Sequence, residues 1–123
     1  MKLFLITGQT ATGKTSYALK LAQEHNGELI NCDSRQIYKH LDIITGKDLT
    51  NKTFHSVHKI DTFDIGYYEL PTKIWLYDVV DPKDPFSSFD YQRCALYVIH
   101  DIISRGKTPI IVGGTYFYLK HLL

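Results

Sequence analysis

The sequence predicts an α/β fold with a mainly parallel sheet, and three observations lead to that prediction. Apolar runs of strand length occur at Lys2 to Thr7, Glu28 to Cys32 and Thr108 to Val112. Apolar residues at helical spacing follow the first run and precede the last. The stretch GQTATGKT, residues 8–15, joins the first run to its helix. Strand, glycine loop, helix and strand form a βαβ unit, whose right-handed crossover makes the two strands parallel neighbours, or nearly so.

The first helix is predicted to continue to about Glu24. Its apolar positions are Ala18, Leu21 and Ala22, and Asn26-Gly27 directly afterwards is a typical helix stop signal. The chain then enters the second strand without a longer connection.

The middle of the chain, Thr45 to Lys73, is polar and interrupted by glycine and proline. We predict loops there, with a short hairpin. His55 and His58 are spaced loosely like metal ligands, but no cysteine or third ligand is near. They are therefore interpreted as loop residues.

The later elements follow from turn and capping signals. Ile74 to Val80 is predicted as a strand that Asp81-Pro82 ends. Ser87 and Asp90 fit a capping box that begins a helix, and Gly106 ends it. The apolar stripe predicted for this helix consists of Ala95, Leu96, Ile99, Ile102 and Ile103. After the last strand we expect a Gly-Gly-Thr loop and the start of another helix.

Size and composition are those of an ordinary soluble domain. The 123 residues, with 44% apolar and 22% charged residues, suit a single domain over 1–123. The net charge of +1 indicates no strongly basic nucleic-acid arm, although a local patch can still bind nucleic acid. Cys32 and Cys94 are predicted as free core thiols. With no secretory signal or membrane span recognised, we expect a cytoplasmic location and no membrane partner.

The stretch 8–15 has the pattern G-x-x-x-x-G-K-[ST] of a phosphate-binding loop. Its backbone N–H groups and the following helix N-terminus bind phosphate oxygens, Lys14 adds a positive charge, and the Thr15 hydroxyl is suited to ligate Mg²⁺. We therefore predict a P-loop NTPase-like three-layer sandwich, incomplete at its C-terminal end because only four strands are counted. The predicted substrate-binding residues are Gly8, Gln9, Thr10, Ala11, Thr12, Gly13, Lys14 and Thr15.

The loop by itself leaves the reaction open. A small-molecule kinase is one candidate, with Asp33 taking a proton from an acceptor hydroxyl at the carboxyl end of the second strand. Such kinases close arginines over the phosphoryl group. This chain has only Arg35, Arg93 and Arg105, which disfavours an arginine-rich lid. A nucleotide-binding module without catalysis is the other candidate.

Three motifs together point to one family. They are GQTATGKT (8–15), DSRQIY (33–38) and GGTYFYL (113–119), with DIITGKD (42–48) and VDPKDPFS (80–87) between them. As a set they resemble the N-terminal part of tRNA dimethylallyltransferases, also called tRNA isopentenyltransferases. The resemblance implies transfer of a dimethylallyl group from dimethylallyl diphosphate to the exocyclic amine of an adenosine beside the anticodon of tRNA. A free-adenylate prenyltransferase is a close alternative.

The resemblance also implies roles for single residues. Asp33 matches the catalytic acid residue that takes the amine proton, and Thr115 matches the threonine at the reacting centre. Ser34, Arg35 and Gln36, with Asp33 and Thr115, match the tRNA-contacting positions. Thr10 matches a substrate-contacting threonine.

The implied partners are dimethylallyl diphosphate, tRNA and Mg²⁺. We expect a monomer. The family's second half has no counterpart in these 123 residues. This leaves open a truncated or split gene product, a separate chain that supplies that half, and a longer chain of which these residues are the N-terminal part.

Overall fold

The structure is a computed structural model, and it describes residues 3–6, 14–32, 37–38, 53–69 and 72–113, with the side chains of 14–16 excepted. Within these residues one six-stranded sheet carries a helix on each face. The elements in chain order are β1 (Phe4–Ile6), α1 (Lys14–His25), β2 (Gly27–Asn31), β3 (His55–Ile60), β4 (Phe63–Glu69), β5 (Lys73–Trp75), α2 (Ser88–Ser104) and β6 (Thr108–Val112).

The sheet has the strand order β1-β6-β2-β5-β4-β3. The pairs β1–β6, β6–β2 and β2–β5 are parallel, whereas β5–β4 and β4–β3 are antiparallel. The predicted mainly parallel α/β sheet is therefore confirmed. The first two strands are parallel but not hydrogen-bonded to each other, because β6 lies between them.

Alternate residues of the central strands supply two cores, one on each face of the sheet. Leu29 and Ile110 pack with Ala18 and Ala22 of α1. The next residues along the same strands, Ile30 and Ile111, join the core that α2 covers. Because side chains of a strand alternate between faces, adjacent residues serve opposite cores. This arrangement confirms the three-layer sandwich.

The ends of both helices follow the predicted signals. α1 ends at His25, and Asn26 adopts a left-handed conformation with φ 52° that turns the chain into β2. Ser87 accepts the backbone N–H of Asp90 while the Asp90 carboxylate accepts the N–H of Ser87, so the capping box is confirmed. Gly106, with φ 77°, follows the C-cap residue of α2.

The buried stripe of α2 differs in part from the predicted one. Ala95 and Ile102 are buried as expected, but Leu96 is 50% exposed, so its prediction was wrong. The buried stripe also includes residues earlier in the helix, which the prediction left out. The buried positions of α2 are Ser88, Tyr91, Cys94, Ala95, Val98 and Ile102.

Two predictions in the middle of the chain need correction. The hairpin exists but is long, since β3 and β4 occupy most of 55–69, and His55 and His58 are strand residues rather than loop residues. The strand predicted over Ile74 to Val80 stops at Trp75. Leu76 and Asp78 adopt positive φ, which strand backbone does not allow. Val80 pairs with another strand residue only through an isolated bridge to Tyr38.

Both cysteines are free and buried, as predicted. Burial raises the pKa of the Cys94 thiol to about 12, so this thiol is protonated at neutral pH. Among the described residues, no helix is long and apolar enough to span a membrane.

An ion pair between a buried carboxylate and a partly exposed guanidinium joins the amino end of β2 to the end of α2. Glu28, 2% exposed, accepts hydrogen bonds from both terminal nitrogens of Arg105, at 2.7 and 2.9 Å, and one from Trp75 Nε1 at 2.8 Å. Asp101 holds the guanidinium from the other side at 3.0 Å. Burial raises the pKa of Glu28, but the hydrogen bonds from Arg105 and Trp75 outweigh it and leave that pKa below its usual value.

We expect Glu28→Gln to lower the free energy of unfolding by about 1–2 kcal/mol at pH 7, since charge-assisted hydrogen bonds from the partly exposed Arg105 become neutral ones. A carboxyl group with a lowered folded pKa stabilises the fold above its unfolded pKa of about 4.3, and this contribution is lost as the pH falls through the folded pKa. The difference between wild type and variant should therefore shrink below about pH 4, measured by urea denaturation across pH. The control Asp101→Asn removes a partly exposed partner and should cost less than about 1 kcal/mol. Equal losses in both variants would contradict the role given to Glu28.

Candidate functional site

The carboxyl ends of three parallel strands lie side by side at one edge of the sheet. Ile6 at the end of β1 and Asn31 at the end of β2 are both in register with Val112 at the end of β6. From these three ends the chain runs into the segments 7–13, 33–36 and 114–119, which hold the three sequence motifs. The carboxyl edge of a parallel sheet is where α/β proteins bind their ligands.

Backbone hydrogen bonds continue past the strands and tie these ends together. The N–H of Cys32 donates to the carbonyl of Val112 at 2.7 Å, and the N–H of Gly113 donates to the carbonyl of Ile6 at 3.1 Å. A Cβ atom on Gly113 would lie 2.3 Å from the carbonyl carbon and oxygen of Cys32. Position 113 therefore accepts only glycine while β6 and β2 keep this separation.

A buried network fixes the end of β2. The Tyr91 hydroxyl of α2 donates to the carbonyl of Asn31 at 2.9 Å, and the Asn31 side chain donates to the carbonyl of Leu76 at 3.0 Å. Tyr91 is fully buried and Asn31 is 4% exposed. Polar groups this buried need partners, and here the partners are two backbone carbonyls, that of Asn31 at the end of β2 and that of Leu76.

The backbone is also held on the far side of residues 33–36. The carbonyl of Ile37 accepts the N–H of Val79 at 2.6 Å, and Tyr38 bridges Val80. Residues 33–36 thus connect two fixed points, Cys32 beside β6 and Ile37 beside residues 79–80.

The N-terminus of α1 lies at the same edge. α1 ends at His25 and β2 begins at Gly27, so the C-terminus of the helix is at the amino edge of β2 and its N-terminus at the carboxyl edge. A helix N-terminus offers unpaired N–H groups and a partial positive charge, which favour anions. Lys14 and Thr15 occupy the first turn, as the motif predicts.

The remaining predicted site residues are not part of the described structure. These are Gly8, Gln9, Thr10, Ala11, Thr12, Gly13, Asp33, Ser34, Arg35, Gln36 and Thr115. Their roles stay predictions, as do those of the Lys14 and Thr15 side chains. The structure brings together the strand ends and the helix N-terminus that flank them.

Sequence reasoning missed three residues that shape this edge. Gly113 was recognised as part of a loop but not as a close contact with Cys32. Asn31 and Tyr91 were not singled out, although the capping box at Ser87 fixes the start of α2 and so predicts the buried face on which Tyr91 lies. That Tyr91 reaches the end of β2 depends on tertiary packing.

Two of the three arginines lie in the described part of the chain, and both are paired with carboxylates. Arg93 contacts Asp61 at 2.7 Å and Asp90 at 3.2 Å. Arg105 is held by Glu28 at the opposite edge of the sheet. Neither guanidinium is thus free to close over a phosphoryl group, which supports the argument against a kinase lid.

A parallel sheet whose first strand leads through a G-x-x-x-x-G-K-T sequence into a helix defines a P-loop α/β protein. Comparison with protein-family models shows which family of P-loop proteins the chain matches. The model described as IPP transferase matches residues 36–123, and the one described as isopentenyl transferase matches residues 1–61. The chain belongs to the IPP transferase family.

Individual relatives agree with this assignment. The chain is 42% identical over 122 residues to a tRNA dimethylallyltransferase of Streptococcus uberis, which covers 99% of this chain and 35% of that protein. The crystal structure of a tRNA isopentenylpyrophosphate transferase from Bacillus halodurans superposes with a TM-score of 0.79 at 35% identity, over 98% of this chain and 35% of that one. The chain thus spans about a third of the length of these relatives.

A third relative is eukaryotic. The structure of a eukaryotic dimethylallyltransferase, described as acting on tRNA, has a TM-score of 0.76 and 33% identity, over 96% of this chain and 25% of that one. The fold of the described residues therefore recurs in bacterial and eukaryotic members.

We expect Gly113→Ala to separate the ends of β2 and β6, because its Cβ would overlap the Cys32 backbone. Overpacking of this kind costs about 1–3 kcal/mol. Affinity for inorganic pyrophosphate, measured by calorimetry, should fall at least about tenfold, the effect of losing 1.4 kcal/mol.

Gly106→Ala is the matched control for this substitution. Gly106 has φ 77° and open space around it, so alanine adds backbone strain of about 1 kcal/mol without a clash. Its pyrophosphate affinity should stay at the wild-type value. Unchanged affinity in Gly113→Ala would contradict the proposed close contact.

Proposed function

We propose that this chain carries the catalytic N-terminal part of a tRNA dimethylallyltransferase. In this proposal a dimethylallyl group passes from dimethylallyl diphosphate to the exocyclic amine of an adenosine beside the anticodon. One observation carries it: the segments that hold the three family motifs leave three adjacent parallel strands at one edge of the sheet. Membership of the IPP transferase family supports the same reaction.

The donor half of the site is the loop between β1 and α1. In the reaction the bond between the allylic carbon and the diphosphate oxygen breaks, and negative charge develops on the leaving diphosphate. The loop amides, the α1 N-terminus and Lys14 would neutralise that charge. The Thr15 position in the first turn suits a hydroxyl ligand for Mg²⁺, and the ion would add charge neutralisation for the leaving group.

The acceptor half is the segment that follows β2. The amine nitrogen forms the new bond to the allylic carbon and loses a proton, which we assign to the Asp33 carboxylate. Ser34, Arg35 and Gln36 would contact the RNA, and Thr115 would lie at the reacting centre. The base has to leave the RNA stack to reach this edge.

The named relatives and the arginine pairs favour this function over a kinase. The relatives are tRNA dimethylallyltransferases or tRNA isopentenylpyrophosphate transferases. The proposal therefore includes dimethylallyl diphosphate as the donor, tRNA as the acceptor and Mg²⁺ as the metal ion. It also includes a cytoplasmic location.

We expect Asp33→Ala to reduce the rate of dimethylallyl transfer at least about 100-fold, the usual contribution of a general base. Binding of dimethylallyl diphosphate should change less than tenfold, because the donor site stays intact. Lys14→Met is the counterpart and should weaken diphosphate binding instead. Dimethylallyl transfer at the wild-type rate in Asp33→Ala would contradict the role assigned to the carboxylate.

The donor and the acceptor can be identified by exchange of substrates. With tRNA present, dimethylallyl diphosphate should yield prenylated adenosine, detected by mass spectrometry, whereas ATP should yield no phosphorylated product. AMP in place of tRNA tests the free-adenylate alternative. The assay uses the chain at the length at which its cell makes it, which an intact mass measurement establishes. γ-Phosphate transfer at an enzymatic rate would overturn the proposal in favour of a kinase.

A further inference from the structure

The antiparallel end of the sheet presents two histidine–tyrosine stacks on one face. The imidazole of His55 stacks on Tyr67 with ring centroids 4.9 Å apart and an interplanar angle of 17°. The imidazole of His58 stacks on Tyr97 of α2 at 4.6 Å and 12°. Both histidines are exposed, and both tyrosines are half-buried.

The two stacks lie on the face that α2 covers. His55, Tyr67 and Trp75 are directly opposite one another across β3, β4 and β5, so their side chains share a face, and Trp75 belongs to the core under α2. Tyr97 projects from α2 itself. The Tyr67 ring also contacts Lys73, whose Nζ lies 4.4 Å from the ring centroid.

The imidazole nitrogens of the two histidines and the Lys73 ammonium group are available to bind a ligand. Within the described part of the chain, the imidazole nitrogens of His55 and His58 have no hydrogen-bond partner, and Lys73 makes no ion pair. Two acids flank Lys73 in the sheet: Glu69 is opposite it on β4, and Glu28 of β2 lies beside it and interacts with its charge electrostatically. Planar rings, free N–H donors and a cation are the features that bind unpaired nucleotides.

The position of the stacks suits an RNA that also enters the candidate site. β3 runs in the same direction as β2, so the order His55, His58 leads toward the carboxyl edge of the sheet. His55 faces Tyr67 and His58 faces Ile65, two residues apart on β4, so the histidines are about 7 Å apart along the sheet. This separation matches the rise of about two stacked nucleotides. β3 is three strands from β2, a lateral distance of about 14 Å.

Other uses of this surface fit less well. A metal site would need a third ligand, and among the described residues no group of three or more His, Cys, Asp or Glu side chains could hold an ion. Pairing of β3 with a strand of another chain is opposed by the register shift between Ser56 and His58 and by Lys59 on the edge. Cross-strand stacking that merely stabilises the hairpin would leave RNA binding unaffected by substitution.

We infer that His55 and His58, supported by Tyr67, Tyr97 and Lys73, form a stacking surface for unpaired nucleotides of the RNA substrate. This inference rests on the proposed function, because it takes the RNA substrate as the ligand. The surface contributes to RNA affinity and takes no part in the chemistry.

The test compares His55→Ala/His58→Ala with wild type, using an RNA stem-loop that carries an unpaired adenosine. Loss of one stacked base weakens binding roughly tenfold, so the double variant should bind the RNA about 100-fold more weakly. Its affinity for inorganic pyrophosphate should match wild type, which also reports that it is folded. His55→Phe/His58→Phe keeps the flat rings and should restore most of the affinity. The control His100→Ala removes an exposed histidine of α2 outside the stacks and should have no effect.

A second measurement does not depend on the variants folding. Imidazole proton signals of His55 and His58 in the wild-type protein should shift when the RNA is added, while that of His100 should not. RNA affinity equal to wild type in the double alanine variant, or unshifted His55 and His58 signals, overturns this inference and leaves the proposed function standing. Wild-type protein that transfers no dimethylallyl group and binds no RNA overturns the proposed function itself.

Discussion

The close parallel packing of β6 between β1 and β2 is the constraint on which the site depends. The Gly113 Cα lies so near the Cys32 backbone that no side chain fits between them. The same residue donates its N–H to Ile6, so one position touches both neighbouring strand ends. Three chain segments that are far apart in sequence are therefore released from the sheet within two strand spacings, about 10 Å. Parallel strand ends that converge in this way let segments far apart in sequence contribute to one site.

The opposite edge of the sheet carries a network of charged and polar side chains. Glu28, Arg105 and Trp75 join the start of β2, the end of α2 and β5 through hydrogen bonds of 2.7 to 2.9 Å. Burying a carboxylate destabilises the folded state unless the carboxylate is paired in this way. Arg105 therefore serves to stabilise the fold. The carboxyl edge is held mainly by backbone hydrogen bonds and by the neutral Asn31–Tyr91 pair. The backbone N–H groups at the start of α1 lie at this same carboxyl edge.

The change from parallel to antiparallel pairing at β5 creates a second kind of surface. Antiparallel neighbours put residues such as His55 and Tyr67 directly opposite each other, so their rings stack across the ladder. α2 reaches this surface as well, through Tyr97 and through the ion pair between Arg93 and Asp61 at the hairpin turn. The helix that fixes the end of β2 thus also holds the hairpin, and a single element sets the geometry of both regions.

Local signals in the sequence were sufficient for the helices, most strands and the class of fold. The capping box at Ser87 and the left-handed turn at Asn26 act through neighbouring residues, and both are found where the sequence predicts them. The family could also be inferred from sequence, because the phosphate loop and its companion motifs are contiguous stretches. Tertiary structure decided that β6 separates β1 from β2, that the strand after Lys73 stops at Trp75 and that His55 and His58 lie on a strand. These outcomes depend on contacts such as that of the Asn31 side chain with the Leu76 carbonyl, which join residues 45 positions apart, and no local pattern encodes such partners.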